Sequence, residues 1–566
     1  MYGLRLAGLS AAIHLARLQI PCRLISVQPS ERAQSVLAEG GINGALDTMG
    51  EQDSAEAHCA DTLRAGCYLA DPAAVRSLAE HAPEIIRFLD GIGVPFNRMD
   101  GTIQLRNFGG QKKKRTAYAR SSTGKVLMSA LIDECRKYES RGLVVRLSHH
   151  AFSSLLFSGA KEPECAGVRV EDVYTGKAVD CAGAVILCFG GLNGFFPGMT
   201  TGTTANSGDA AAQAFRQGVR FGNLEMIQYY PTTIGIPGKR CLISEAARGE
   251  GGRLYTLKNG QPWYFMEERY PELGNLMPRD VISREMYFVL RDPDCGGQAF
   301  LDLRELSGET WKKRLPDLRA EVKHYLGLDP AKAPIPVEPG IHYFMGGIDV
   351  DGFHRTNVKN LYAAGECCCQ YHGANRLGGN SMLGALYGGQ AAAEHLAKHL
   401  PGRLEPLPGL QTGNDCADPK VIPEISKILM DALGIARDGN TLQSAQEQLE
   451  DLLGRTRNER ERTRIYLALA MLRSAAFREE SRGAHYRVDF PKTDDRYRRL
   501  SGYPWRTGGA DSLGLRLPSK KVRGLRHGNQ WEALSCLRHR TQGCGEEGNR
   551  HAGTHAEISR GCRLDG

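Results

Sequence analysis

The stretch from His372 to Leu383, His-Gly-Ala-Asn-Arg-Leu-Gly-Gly-Asn-Ser-Met-Leu, constrains the fold more than any other part of the chain. It joins a guanidinium, two amides, a hydroxyl and several glycines, and a small-residue apolar helix pattern from Gly384 to His395 follows at once. That mixture suits a helix N-terminus facing an anionic ligand, where free backbone N–H groups and the positive end of the helix dipole point outward. Just upstream, Asn360-Leu361-Tyr362-Ala363-Ala364-Gly365-Glu366 reads as a short buried strand ending in a turn with a carboxylate. Strand, turn and helix over a ligand is the result.

The N-terminal segment has the same form. Gly3, then Ala7-Gly8-Leu9-Ser10-Ala11, reads as a phosphate-binding turn running into a helix up to Arg17. Two features depart from that pattern: the chain begins Met1-Tyr2, leaving no strand before Gly3, and Arg5 stands where GxGxxG has its middle glycine. The Arg5 side chain is expected to crowd the phosphate, and an incomplete or altered N-terminus would account for both features. Cys22-Arg23-Leu24-Ile25-Ser26-Val27 reads as the next strand. The run after it holds Ser35 and the pair Gly40-Gly41, which let a backbone approach a flat ring system closely. Val185-Ile186-Leu187, ending in Gly190-Gly191, is a further buried strand meeting a turn.

Composition narrows the class. At 566 residues, with 41% hydrophobic and 24% charged content, the chain reads as a soluble protein of several domains. No apolar run approaches the ~20 residues needed to cross a bilayer, and no secretory signal opens the chain. A cytoplasmic protein without direct membrane insertion is expected. Sixteen cysteines form no CxxC pair, so reduced thiols are expected, with no metal site and no iron–sulfur or haem attachment motif. The net charge of +8 does not indicate nucleic acid, because Lys112-Lys113-Lys114-Arg115, the one dense basic run in the body, reads as a solvated loop. Eleven Lys/Arg against six Asp/Glu lie in residues 501–566, a tail rich in Arg, Gly, His and Cys that reads as disordered or atypical. Its Cys536, His539, Cys544, His551, His555 and Cys562 do not have the spacing of a zinc finger or ribbon.

From about Gly3 to Asp495 the chain resembles the flavoprotein subunit of fumarate reductase and succinate dehydrogenase, a group that also takes in L-aspartate oxidase and soluble fumarate reductases. Motifs in the family's order carry the match. They are Leu24-Ile25-Ser26, Ala38-Glu39-Gly40-Gly41, Phe108-Gly109-Gly110, Ser207-Gly208-Asp209, Ser244 through Gly252, Pro278-Arg279-Asp280, His342 with Met345-Gly346-Gly347, the stretch around Arg376, and Ser481 through Arg487. The resemblance implies an α/β fold: a bipartite Rossmann-like FAD-binding domain with an inserted α+β capping domain and a C-terminal helical domain. The expected boundaries are 1–238 and 346–400 for the FAD-binding domain, 239–345 for the cap, 415–500 for the helical domain and 501–566 for the tail. Richness in Pro, Gly and charge over 240–345, and helical apolar spacing over 421–478, agree with this division.

The resemblance also implies roles. Reduced flavin supplies a hydride to the alkene of fumarate, and Arg279 supplies the proton, assisted by Glu245 and Arg248. Arginine is a poor acid in water, with a pKa above ~12, but a cation-rich, desolvated pocket makes its neutral form more accessible. His342 and Arg376 grip the substrate carboxylates, the latter through its two-pronged donors, while Ser244 keeps the hydroxyl of the family's usual threonine. Toward FAD stand Gly3, Gly8, Ser26, Ser35, Gly40, Gly41, Asp209, Glu366, Arg376, Ser381 and Leu383. Glu366 accepts from the ribose, and Ser381 and Leu383 meet the isoalloxazine. Asp209 sits near the polar part of the cofactor, or alternatively caps the alanine-rich helix that follows it.

Departures from the family pattern carry information as well. Gln34 takes the place of the histidine that carries covalent FAD, which predicts a dissociable, non-covalent flavin and favours fumarate reduction over succinate oxidation. Tyr230, in Gln228-Tyr229-Tyr230-Pro231-Thr232, replaces a substrate-binding histidine. A phenol can donate a hydrogen bond but carries no positive charge, so the substrate is fumarate or another enoate, including an acrylate with one carboxylate. Phe344 replaces a small polar residue beside His342 and bears on the shape of the pocket. An iron–sulfur or other electron-transfer subunit is the implied partner, and it could bring the chain to a membrane. L-aspartate oxidation and a flavin-poor binding subunit are the alternatives. Leu377-Gly378-Gly379-Asn380-Ser381 is closer to the fumarate reductase form than to the oxidase.

Overall fold

The structure, a computed structural model, describes residues 1–120, 122–159, 164–406, 417–498 and 502–503. The zinc and disorder readings of the tail fall outside the described residues. A parallel sheet positions the site. Cys22–Ile25 pairs with Val144–Leu147 on one side, and Val185–Leu187 pairs with Leu361–Ala363 on the other. Tyr2 occupies the slot between these pairs, bridging in parallel to both Ile25 and Leu187. The Tyr2 N–H donates to the Ile186 carbonyl at 3.0 Å, and the Gly3 N–H donates to the Ile25 carbonyl at 2.8 Å. Residues 1–3 therefore hold the central place in this sheet.

Two helices lie on this sheet, Leu6–Arg17 and Asn380–Lys398. They pack closely because small residues face each other: a Cβ on Gly389 would run into the Ala7 carbonyl. The Ser10 hydroxyl donates to the Leu386 carbonyl at 2.7 Å across the same contact. Neither helix has a side chain hydrogen-bonded over its first turn, so both N-termini are left open to a ligand.

The inserted region is built on an antiparallel six-stranded sheet in the order Lys239–Leu242, Ile227–Ile236, Ile335–Phe344, Cys295–Asp302, Arg253–Lys258, Gln261–Trp263. Ile227–Ile236, placed by the sequence in the preceding domain, is thus the second strand of this sheet. Its register against Ile335–Phe344 shifts twice, between Gln228 and Tyr229 and between Tyr230 and Thr233. Pro231 lies in the second irregular stretch, where a residue without an N–H is tolerated. Bulges re-aim side chains, and here Gln228 and Tyr230 both reach the helix Arg279–Val289 that packs on the sheet.

Helices Val421–Ala432, Gly439–Arg455 and Glu459–Phe477 form the C-terminal helical part. Asp438 and Asn458 cap the second and third by accepting from Thr441 N–H and Glu461 N–H. Ser481 through Arg487, expected in the helical part, is a turn after the last helix that ends in a short strand beside Ala436–Arg437. The turn touches the central stretch directly, with the Ala484 N–H donating to the Ala374 carbonyl at 2.9 Å. A buried ionic network holds it. The Glu480 carboxylate accepts from Arg478 at 2.9 Å and from Arg482 at 2.8 and 3.0 Å, and Arg478 also pairs with Glu225. Removing one partner strands buried cations, so Glu480→Ala should cost about 3–5 kcal/mol. A lowered denaturant midpoint checks this; an unchanged midpoint would mean that the network does not hold the fold.

Arg115 corrects one expectation. It is not in a solvated loop but fully buried, pairing with Asp53 through two bonds of 2.9 and 3.0 Å and with Asp61 at 2.9 Å. Lys112 and Lys114 of the same run are exposed. No helix among the described residues is long and apolar enough to cross a membrane.

Candidate active site

The central stretch is held by a buried polar network. Asn43 donates to the Gly378 carbonyl and to Asn380 Oδ1, each at 2.7 Å. Gln111 donates to Asn43 Oδ1 at 2.9 Å and to the Gly378 carbonyl at 3.0 Å, and His58 meets Asn380 Oδ1 at 3.0 Å. Burial keeps His58 neutral, with its pKa lowered to about 4. Gly379, at φ +84°, sits against Asn43, where any Cβ would collide with the amide. This lock aims Arg376 and the open end of the helix Asn380–Lys398 into one cavity.

Arg279, at the first turn of its helix, is bound to Glu245 through Nε at 3.1 Å and through Nη2, and to Gln228 Oε1 through Nη1 at 3.2 Å. Glu245 meets Arg248 at 3.5 Å, and Arg248 also donates to the Asn275 carbonyl at 2.7 Å. Burial pulls the Glu245 pKa up, but the Arg279 and Arg248 charges outweigh it and hold the carboxylate below its usual range. The result is a buried chain, Arg279–Glu245–Arg248, in which Arg279 and Glu245 line the cavity and Arg248 stands behind them. Gln228 ties this chain to the central stretch, donating to Asn375 Oδ1 at 2.8 Å and to the Arg376 carbonyl at 2.9 Å.

Arg376 lines the same cavity and is 3% exposed, yet it makes no ion pair with a described residue. Its guanidinium lies over the Tyr343 ring at 4.5 Å, and its Nε has no hydrogen-bond partner. Burial, then the nearby Arg279 charge, lowers its pKa to about 9, so it stays cationic at neutral pH. His342 completes that wall. Its Nδ1 shares a hydrogen bond with the Thr201 hydroxyl at 2.8 Å, and burial followed by the Arg279 and Arg376 charges drives its pKa well below the usual range. A neutral imidazole with Nε2 left over meets the cavity. Ser244 lines it as well.

Two residues differ from expectation. The Tyr230 hydroxyl is not directed at a substrate, because it donates to the Ile243 carbonyl at 3.0 Å. What Tyr230 gives the cavity is a ring, 4.8 Å from the Arg279 guanidinium and 5.2 Å from the His342 ring. Phe344 faces away into the core against Phe196 and leaves the cavity unshaped.

The cavity lined by this cluster meets a second at Arg5 and Gln34, which line both. Ser35, Gly40, Gly41, Glu366 and Ser381 line the first; Gly3, Ser26 and Asp209 line the second. Gly8 acts from inside its helix, where a Cβ would strike the Gly3 carbonyl. Leu383 is fully buried in the core, and Met382 and Ala385 reach the cavity in its place. The Asp209 carboxylate is paired with Arg460 and with Arg464 at 3.4 Å, and Gly208, not Asp209, is the N-cap of the helix Asp209–Arg216. Burial raises the Glu366 carboxyl, which accepts from the Phe344 N–H at 3.2 Å. Gln228 and Thr201 carry no sequence signal of their own; only the fold brings their partners to them.

An FAD binding domain model matches residues 6–382, and a fumarate reductase flavoprotein C-terminal model matches 460–512. The chain belongs to the succinate dehydrogenase/fumarate reductase flavoprotein family. It is 35% identical to the succinate dehydrogenase flavoprotein subunit of Bacillus subtilis, over 87% of this chain and 90% of that one. To the L-aspartate oxidase of Streptomyces coelicolor it is 32% identical, over 87% and 88%. A solved E. coli quinol fumarate reductase chain superposes with a TM-score of 0.77 at 29% identity, covering 88% of this chain and 92% of that one. The protein is accordingly an FAD-dependent oxidoreductase of succinate dehydrogenase/fumarate reductase type. The paired cavities fit that cofactor: two uncapped helix N-termini open on them, and close glycine packing at Gly3 and Gly41 admits only bare backbone there.

Proposed function

We propose that the protein reduces fumarate or a related α,β-unsaturated carboxylate, with Arg279 as proton donor. The observation that carries this reading is the unpaired Arg376 guanidinium beside a neutral His342, across one cavity from the Arg279–Glu245–Arg248 chain. Arg376 and the His342 Nε2 hold a substrate carboxylate and draw electron density from the double bond. FAD, when bound and reduced, supplies the hydride to one alkene carbon. Arg279 gives a proton to the other carbon and recovers it through Glu245 and Arg248. The product is the saturated acid, and two electrons and one further proton must come from a donor. An electron-transfer subunit, iron–sulfur or other, is that donor, and it would also bring an otherwise cytoplasmic chain to a membrane.

Gln34 supports a non-covalent flavin. It is a carboxamide accepting from the Thr203 N–H, and it has no nucleophilic nitrogen. The Tyr230 ring supports room for a substrate with one carboxylate, since the phenol carries no charge and its hydroxyl is spent on the Ile243 carbonyl. Tyr230→His should therefore raise the ratio of kcat/KM for fumarate over crotonate by about 10- to 100-fold, the worth of a charged hydrogen bond. An unchanged ratio would remove Tyr230 from substrate selection. Steady-state assays with reduced viologen test the whole reading. Fumarate or crotonate turnover without L-aspartate oxidation in oxygen supports it, whereas hydrogen peroxide from L-aspartate with inert enoates replaces it by the oxidase.

A further inference from the structure

Arg5 is the residue that departs most sharply from a phosphate-binding turn, and its surroundings give it a use. It stands immediately before the helix Leu6–Arg17, whose first turn has no side-chain cap. Its guanidinium lines both cavities where they meet and donates to Asn206 Oδ1. Gly190 makes room for it, because a Cβ at that position would overlap the guanidinium.

The charge is left uncompensated. Arg5 makes no ion pair with a described residue. The carboxylate that acts on it most strongly is Glu366, which burial holds toward its protonated form. A partly buried cation bonded to one neutral amide is costly on its own and calls for an anion. A second group at the junction is also unfilled: Asn206 is 4% exposed, lines the second cavity, and its Nδ2 has no partner.

We propose that Arg5 and Asn206, together with the open first turn of the helix Leu6–Arg17, clamp the pyrophosphate of the dinucleotide. A side-chain charge then does what close backbone approach over a glycine does elsewhere. The clamp rests on the FAD assignment and adds a specific consequence: affinity depends on the diphosphate and on salt far more than affinity for the bare isoalloxazine does.

Flavin binding by the full-length apoprotein tests this, followed by flavin fluorescence with FAD and with riboflavin. Arg5→Gln and Arg5→Gly should weaken FAD by about 10- to 100-fold, and Asn206→Ala should weaken it by less. Riboflavin affinity should stay within about twofold in all three. In the unaltered protein, which needs no variant to fold, FAD affinity should fall with rising salt while riboflavin affinity does not. A tighter FAD complex in Arg5→Gly would overturn the clamp and make Arg5 a plug in the cofactor path. Equal FAD affinities, or a salt dependence matching that of riboflavin, would overturn it while leaving the FAD assignment intact. An unaltered apoprotein that takes up riboflavin but no FAD would overturn both.

Discussion

Arg279→Gln should lower kcat for enoate reduction by about 10²- to 10⁴-fold, the range lost with a positioned proton donor. On the proposed reading KM and flavin content should change little, because Arg376 and His342, not Arg279, hold the carboxylate. Glutamine keeps hydrogen bonding toward Glu245 but has no transferable proton of the right kind. Arg279→Lys is the more informative variant. It keeps the charge, but a single ammonium cannot span both Glu245 and Gln228 as the guanidinium fork does, so recovery should be partial. Glu245→Gln should give a similar loss by cutting the link to Arg248. Rapid reduction and reoxidation of the flavin would locate the defect. Reoxidation by substrate should slow by the same factor as kcat, and unchanged reoxidation would remove Arg279 from the chemical step.

Arg376→Gln should act on the other side of the cavity and mainly on binding. Truncating one partner of a buried charge pair costs about 2–5 kcal/mol, which is roughly 30- to 5000-fold in substrate affinity. The guanidinium has no ion-pair partner in the described protein, so on the proposed reading, in which the substrate supplies the anion, little stability should be lost. The variant should even be slightly more stable without ligand, since an uncompensated buried cation is removed. Substrate titration against the oxidised flavin spectrum, with the unfolding midpoint measured alongside, separates the two effects. A large fall in midpoint with unchanged affinity would make Arg376 a structural residue.

Much of this site is legible along the chain because it lies in short continuous motifs. The strand at Leu361, the turn at Glu366, Arg376 and the helix start at Asn380 fall within twenty residues, and their local chemistry is complete before folding. Arg279 and Glu245 are likewise marked by type and order. What escapes is fixed by partners far away in sequence. Arg115 belongs to a run of four cations and looks solvated until Asp53 and Asp61 close around it. Tyr2 has too few neighbours to show strand periodicity, yet two flanking strands give it a ladder position. The direction of the Tyr230 hydroxyl depends on a bulged strand meeting the Ile243 carbonyl, which no spacing rule records. The start of the inserted sheet at Ile227 is hidden for a related reason, as a buried apolar strand reads alike on either side of a domain boundary.

The most direct test of the account is anaerobic reoxidation of the reduced holoprotein by fumarate and by crotonate, followed in the visible flavin band. Return of the oxidised spectrum with formation of the saturated acid, fast in the unaltered protein and slowed at least about 100-fold in Arg279→Gln, is the predicted result. A bound, reducible flavin that neither enoate reoxidises, or one reoxidised equally well without Arg279, would contradict it.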